Sequence, residues 1–533
     1  MDMQQALQQA LGYLQSGKPQ KCMAVCNEIL AGDPEFVQAL YLRGCAAFQT
    51  GDIAQSLNDL EIVHGRHPEH LHAAYYFGRS LRVAGRPQDA LTPLQAAMVE
   101  NGLEVVSRYE IAICLTQLRR RNEAIEHYKA ILALQADNVQ VTANLASLLE
   151  RENLLDEAAS RVDEALSMDP ANETAQMTRA TLDRRSGDYL KAAQQLRQLI
   201  PGIKHPINRS IAWNQLGQSL EGQEDWDRAY DAFSESNQIL KENHPGSSPN
   251  PRDPHGLKTI VRIQAWLKEN PIADWNTSAE SDVGSLAFLV GFPRSGTTLL
   301  DRMLSAHPDI EVLEEKSLFS RLHQDWSEPG TLEALADVNA EQIADARDIY
   351  RQKMSRHRHQ PQRSLVIDKL PLNLAYMFLI NRLFPEAPII FLQRHPLDVC
   401  ISCFSQAFEL EASMAYFLDI QDTAQYYDAV MQVAALSTDQ ISNPLHSLHY
   451  EDLVTDPEPQ LKSILGFLAL EWNDSMLQYR QQGGVETSNT PSYQQVSQPL
   501  HSRSVGKWRH YSKQLDPILS DLQPWVKCLG YDL

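Results

Sequence analysis

The chain has 533 residues, 43% of them hydrophobic and 22% charged, with a formal net charge of −21. That composition is the one expected of a globular chain with enough length for two to four domains and a sizeable core. The acidic balance argues against a nucleic-acid binder, which needs a basic face. The opening stretch, MDMQQALQQALGYLQ, has neither a basic n-region nor an apolar h-region, so no signal peptide is expected. No apolar run approaches the length of a membrane span. Seven cysteines in a long chain fit a reducing cytoplasm. Cys400 and Cys403 form a CxxC without a second pair at zinc spacing, and the expectation is two packed helix residues.

The first 240 residues repeat. Gly44, Gly78, Ala112, Ala146 and Ala180 fall at steps of 34, and Ser56, Ala90, Ala124, Ala158 and Ala192 keep the same step. Pro34, Pro68 and Pro170 follow it, and Ala10 and Cys22 stand one period earlier. Trp213, Leu216, Gly217, Asp225, Ala229, Tyr230 and Phe233 continue the pattern after a small insertion. Small residues at fixed points let the two helices of a hairpin cross closely. The pattern resembles tetratricopeptide repeats, about seven helix pairs over residues 1–240. The resemblance implies an α-solenoid whose concave face takes a protein or peptide partner. A scaffold that only oligomerises or solubilises the chain is the competing reading.

Residues 241–256, KENHPGSSPNPRDPHG, are rich in Pro, Gly, Ser and Asn and read as a linker. An amphipathic helix, LKTIVRIQAWLKEN, follows, so 241–284 connects the array to a second domain at 285–533. That domain opens on LAFLVGFPRSGTTLL. The apolar run Leu286–Val290 predicts a buried parallel strand, and the segment from Leu299 a helix. Strand, Gly-containing turn and helix N-terminus in that order make an anion site, because backbone N–H groups and the helix dipole face the turn. Thr297 and Thr298 add hydroxyl donors, and Arg294 can clamp an oxyanion. A Walker loop would need Lys after Gly296; Thr stands there instead.

Beyond the loop, strand and helix alternate. The chain carries Glu314 and Glu315, then a helical region near 331–357. SLVIDKLPLN follows as a strand ending at Asp368 and Lys369. A helix over NLAYMFLINRLFP, a strand PIIFLQR ending at Arg394, a helix over HPLDVCISCFSQAF and a strand HSLHY come next. The order predicts a doubly wound parallel sheet with its ligands at the carboxyl ends of the strands. Arg294, Lys369 and Arg394 each stand just past such a strand.

These residues resemble the sulfotransferases that use 3′-phosphoadenosine 5′-phosphosulfate. GFPRSGTTLLDRMLSAHPDI is similar to that family's 5′-phosphosulfate loop, and IIFLQRHPLDVCIS to its 3′-phosphate motif. The paired Glu after AHPD is similar to the tyrosylprotein sulfotransferases, and the likeness covers about 285–510. It implies an α-solenoid followed by a P-loop-like α/β sulfotransferase domain. It further implies that Arg294, Ser295, Gly296, Thr297 and Thr298 hold the 5′-phosphosulfate and that Arg394 and Ser402 hold the 3′-phosphate. Glu315 is then the general base, Lys369 and Ser492 attend the leaving group, and Lys507 lies in the cofactor cleft. No metal is implied, since fixed cations meet the developing charge. His307 and His395 are expected to pack or cap. The acceptor stays open between a protein or peptide hydroxyl, tyrosine included, and a small-molecule, lipid or saccharide hydroxyl. A scaffold with a non-catalytic nucleotide domain and a kinase-like enzyme are the readings from other classes, the second opposed by the missing GK[ST].

Overall fold

The structure, a computed structural model, describes residues 3–100, 102–243, 253–272, 285–319, 332, 335, 337–408, 412–479 and 502–533. The chain divides into two compact units, Met1–Leu182 and Asp183–Leu533.

The first unit is made of helical hairpins, beginning with Met3–Gln15 and Pro19–Gly32, then Val37–Thr50 and Ile53–Arg66. The small residues spaced by 34 stand where the helices of one hairpin cross. A Cβ on Gly44 would lie 2.7 Å from Leu60 Cγ, and one on Gly78 would lie 2.5 Å from Leu94 Cγ. Ala90, Ala112, Ala124, Ala146 and Ala158 are fully buried for the same reason. The period is written in the backbone as well. Gly51, Gly85, Arg119 and Asn153, each 34 apart and each at a hairpin turn, all take positive φ (82°, 77°, 64° and 61°).

The second unit continues the repeats with Tyr189–Leu199 and with the hairpin Pro206–Glu221 and Trp226–Asn243. There Gly217 repeats the crossing, with its Cβ position 2.5 Å from Phe233 Cε1. The helix Leu257–Glu269 follows and packs on the long helix Ile420–Thr438.

The rest is a five-stranded sheet flanked by helices. Its strands are β1 (Leu286–Val290), β2 (Ile310–Glu314), β3 (Leu365–Lys369), β4 (Ile389–Gln393) and β5 (Leu445–His449). All pair in parallel, in the order β2-β3-β1-β4-β5. β1 is central and buried along its whole length, which explains its uninterrupted apolar sequence. Its alternate side chains serve two cores. Ala287 and Leu289 face Leu300, Met303 and Leu304, while Phe288 faces Phe319, Tyr350 and Phe384.

β2 was not among the strands expected from the sequence. Its residues, IEVLE, carry two acids, and Glu311 is 5% exposed. That carboxylate takes bonds from Arg358 Nε (2.8 Å) and the Gln360 amide (2.9 Å), so the buried charge within the strand is satisfied by the loop beyond Ala340–His357. NLAYMFLINRLFP, read as one helix, is a 3₁₀ segment Pro371–Tyr376 followed by a helix Met377–Leu383.

The sheet sets the functional edge. Chain order runs from β1 out to β2 and β3 on one side and to β4 and β5 on the other. The carboxyl ends flanking β1 therefore form the crevice where open parallel sheets bind ligands.

Candidate active site

The loop after β1 is held by contacts that leave little room for side chains. A Cβ on Gly291 would approach Leu392 O to 2.7 Å. Gly296 takes φ 100° and caps the helix Thr297–Ser305, and a Cβ there would lie 2.3 Å from Tyr450 Cδ2. Arg294 sits between them at φ 71°, an uncommon conformation for a bulky residue. Ser295, Thr297 and Thr298 are 2%, 4% and 6% exposed, so their hydroxyls are sheltered from bulk water beside the helix start.

Two guanidiniums meet at this loop. Arg394, just past β4, donates from NH1 to Arg294 O at 2.8 Å and from NH2 to Ser504 O at 2.6 Å. Its face lies 4.8 Å over the Tyr450 ring, and its buried Nε has no partner among the described residues. Arg294 Nε donates to Ser402 Oγ at 3.1 Å. Burial, with the neighbouring Arg394 charge acting in the same direction, pulls the Arg294 guanidinium down to about 10. An anion beside these groups would relieve the like-charge contact and give Arg394 Nε an acceptor.

On the other side of β1, Lys369 ends β3 with no exposed surface. Its Nζ lies 3.0 Å from Glu315 Oε1, 3.5 Å from Glu314 Oε1 and 3.6 Å from Asp301 Oδ2. Burial alone would lower this ammonium; Glu315, Asp301 and Glu314 outweigh burial and hold it above its ordinary range. Asp301, on the loop helix and 2% exposed, is pushed up by burial despite Lys369 beside it. Register places these groups together, because Glu314 pairs with Lys369 and Lys369 with Leu289 of β1. The Glu315 amide donates to Lys369 O at 2.8 Å and its φ is 50°, so β2 ends in a left-handed residue aimed back at β3.

The expected residues thus fall into three groups. Arg294, Ser402 and Arg394 form one cluster with Ser295, Gly296, Thr297 and Thr298 in the loop. Glu315 and Lys369 form a second at the same sheet edge. Lys507 stands elsewhere, with its ammonium on the Glu221 carboxylate and 5.9 Å over the Tyr511 ring. Ser492 lies outside the described residues. His307 accepts from the Asp309 amide and reaches Glu471 O, and His395 accepts from the Leu397 amide and stacks on Trp508. Cys400 and Cys403 are both buried, and burial raises both thiols.

Asp301 and Tyr450 escaped the sequence reading. Asp398 accepts from the Gly506 and Trp508 amides at 2.7 and 2.8 Å and so fixes the 504–508 segment against Arg394. Tyr450 directly follows β5 and could have been found by the rule that singled out Arg394. Asp301 is one helical turn beyond Thr297, a spacing that puts it under the loop.

Comparison with known proteins shows what this domain is similar to. A sulfotransferase family model matches residues 287–474, and a tetratricopeptide repeat model matches 41–102 and 109–173. Protein-tyrosine sulfotransferase 1 of Danio rerio is 28% identical over 265 residues, covering 46% of this chain and 72% of that one. The Homo sapiens protein of the same name is 29% identical over 296 residues, covering 52% and 76%. An uncharacterized protein of Aquifex aeolicus is 24% identical over 428 residues, 76% of this chain, and the match spans about half (52%) of that protein's length. A solved tetratricopeptide repeat protein from Parabacteroides merdae aligns with 44% of this chain and 92% of that one, at 15% identity and a TM-score of 0.38. Residues 287–474 are therefore similar to the sulfotransferase family, in one chain with tetratricopeptide repeats.

Proposed function

We propose that this protein transfers a sulfuryl group from 3′-phosphoadenosine 5′-phosphosulfate to a hydroxyl of a protein or peptide, tyrosine foremost. One observation carries the reading: two clusters of opposite purpose meet across β1. Arg294, Ser402 and Arg394 make a cationic seat, and 3.0 Å apart beside it stand a fully buried ammonium, Lys369, and a carboxylate, Glu315. The residues fit the donor. Arg394 Nε is a buried donor with no partner among the described residues, and the Gly296 cradle is closed by Tyr450 to any side chain at that position.

In this proposal the donor supplies an activated sulfonate. The loop residues Ser295, Gly296, Thr297 and Thr298 orient it, with Arg294 as clamp, and Arg394 and Ser402 hold the 3′-phosphate. Lys369 stabilises negative charge at the bridging oxygen. Glu315 takes the proton from the acceptor hydroxyl, which in tyrosine has a pKa near 10 and needs a positioned base. Ser492 is assigned a supporting role at the leaving group, and Lys507, whose ammonium rests on Glu221, one at the cleft through the segment that meets Arg394 at Ser504 O. The positive charge thus comes from fixed side chains, and the proposal names no metal.

A protein acceptor is supported by the protein-tyrosine sulfotransferases among the relatives and by the repeats, whose concave face would present it. No helix among the described residues is long and apolar enough to cross a membrane. A cytoplasmic site is part of the proposal, in keeping with buried thiols at Cys22, Cys26, Cys45, Cys114, Cys400 and Cys403. The test is transfer of radiolabelled sulfate from the donor to tyrosine-containing peptides by the wild type and by Glu315→Gln. Tyrosine O-sulfate formed by the wild type and reduced about 10²–10⁴-fold in the variant is expected for loss of a general base. Equal transfer by both would refute the assignment of Glu315.

A further inference from the structure

The last helical hairpin, Pro206–Glu221 with Trp226–Asn243, is bonded into the sulfotransferase domain at two places. The first is the far end of the helix Pro396–Phe404, which carries Ser402. Asn237 Nδ2 donates to Phe404 O at 2.9 Å and Asn214 Nδ2 to Ser405 O at 3.0 Å, all of them buried. Tyr230 stacks on Phe404 with ring centroids 4.9 Å apart. Two amides of the hairpin thus satisfy carbonyls that the helix end leaves without intrahelical donors.

The second place is the segment 504–511. At one end this strap touches the candidate donor site, because Ser504 O accepts from Arg394 and the Gly506 and Trp508 amides donate to Asp398. At the other end it is tied to the hairpin. Tyr511 donates its hydroxyl hydrogen to Glu221 Oε1 at 2.6 Å, and Lys507 pairs with the same oxygen. His510 stacks on Trp226 with centroids 4.2 Å apart and planes 9° from parallel. A solenoid repeat needs none of these contacts to stack on its neighbour.

We propose that this hairpin is a working part of the donor site, with Glu221 and Asn237 as positioning residues that hold the strap and the Ser402 helix around the 3′-phosphate. The inference rests on the sulfotransferase reading and assigns to the last repeat a role apart from partner binding. Both ties converge on Arg394 and Ser402, whereas the 5′-phosphosulfate loop, although it also bonds to these two through Arg294, has further anchors in β1 and its own helix. Loosening the hairpin should therefore weaken recognition of the 3′-phosphate in particular.

The experiment is calorimetric titration of the full chain with 3′-phosphoadenosine 5′-phosphate and with adenosine 5′-phosphosulfate, which lacks the 3′-phosphate. Glu221→Lys sets a second cation against Lys507; Glu221→Gln keeps an acceptor for Tyr511 and serves as the conservative variant. Thermal melting shows that each is folded. Glu221→Lys should lose about tenfold in affinity for the 3′-phosphorylated nucleotide, Glu221→Gln less, and both should change little toward the other nucleotide. Unchanged or tighter binding of the 3′-phosphorylated nucleotide by Glu221→Lys would overturn the positioning role, as would equal losses for both nucleotides. A wild type that binds neither nucleotide would instead overturn the underlying sulfotransferase reading.

Discussion

Replacing Lys369 by Met tests how the catalytic edge is held together. The ammonium is fully buried with three carboxylates within 3.6 Å, one of them, Asp301, itself 2% exposed. Deleting one partner of a buried pair costs about 3–5 kcal/mol, because the remaining charge is left desolvated. Glu315 is 35% exposed at its side chain, so water recovers part of its share. The expected loss is therefore at the low end, about 3 kcal/mol at pH 8. The sign of the pH dependence follows from Asp301. Burial holds its folded carboxyl above the ordinary value, so its contribution is most favourable below about pH 4 and is lost as pH rises through the folded value. Without Lys369 that carboxyl protonates more readily, and the loss at pH 5 should shrink to about 1 kcal/mol. Lys369 is itself raised, so its own contribution is fully present across this range and fades only above about pH 10.5. Adding Asp301→Asn should recover roughly 1–2 kcal/mol, since a buried pair replaced on both sides is far less costly than one broken. Denaturant unfolding at both pH values reads all of this. A Lys369→Met loss that does not depend on pH, or a double variant as unstable as the sum of the single changes, would refute the reasoning.

Gly296→Ala must place a Cβ 2.3 Å from Tyr450 at φ 100°. It should cost at least about 1–2 kcal/mol in a melt and abolish nucleotide binding by displacing the loop or Tyr450. Asp368→Asn probes the opposite face of β3. Burial pushes Asp368 up to about 7, opposed by the Tyr350 hydroxyl, 2.8 Å away, and by the Lys369 charge. A raised carboxyl favours folding below its unfolded value near 4 and loses that contribution as pH rises through about 7. The variant should therefore gain stability over the wild type progressively from about pH 4 to 7 and level off above, in melts across pH. Arg394→Lys keeps the charge and loses the fork that reaches both Arg294 O and Ser504 O. Nucleotide affinity by titration should fall about tenfold.

The parts of the fold that follow a simple period were legible in the sequence. The spacing of small residues marked the hairpin crossings because Gly44 and Gly78 have no room for a Cβ, and the run Leu286–Val290 marked the central strand because it is buried on both faces. β2 was not legible, since Glu311 is neutralised by Arg358 from far along the chain. At the site, Arg294, Lys369 and Arg394 could be placed by their position at or just past the carboxyl ends of strands. Asp301 could not, because its approach to Lys369 depends on how the loop helix crosses the sheet. Glu221 was equally hidden: its partners Lys507 and Tyr511 lie almost 300 residues away.

The most direct test of the central claim is calorimetric titration of the full chain with 3′-phosphoadenosine 5′-phosphate, beside ATP with magnesium and beside Arg394→Ala. Binding of the 3′-phosphorylated nucleotide without metal, lost in the variant and weaker for ATP, is the predicted result. A folded wild type that ignores this nucleotide, or that prefers ATP with magnesium, would contradict the account.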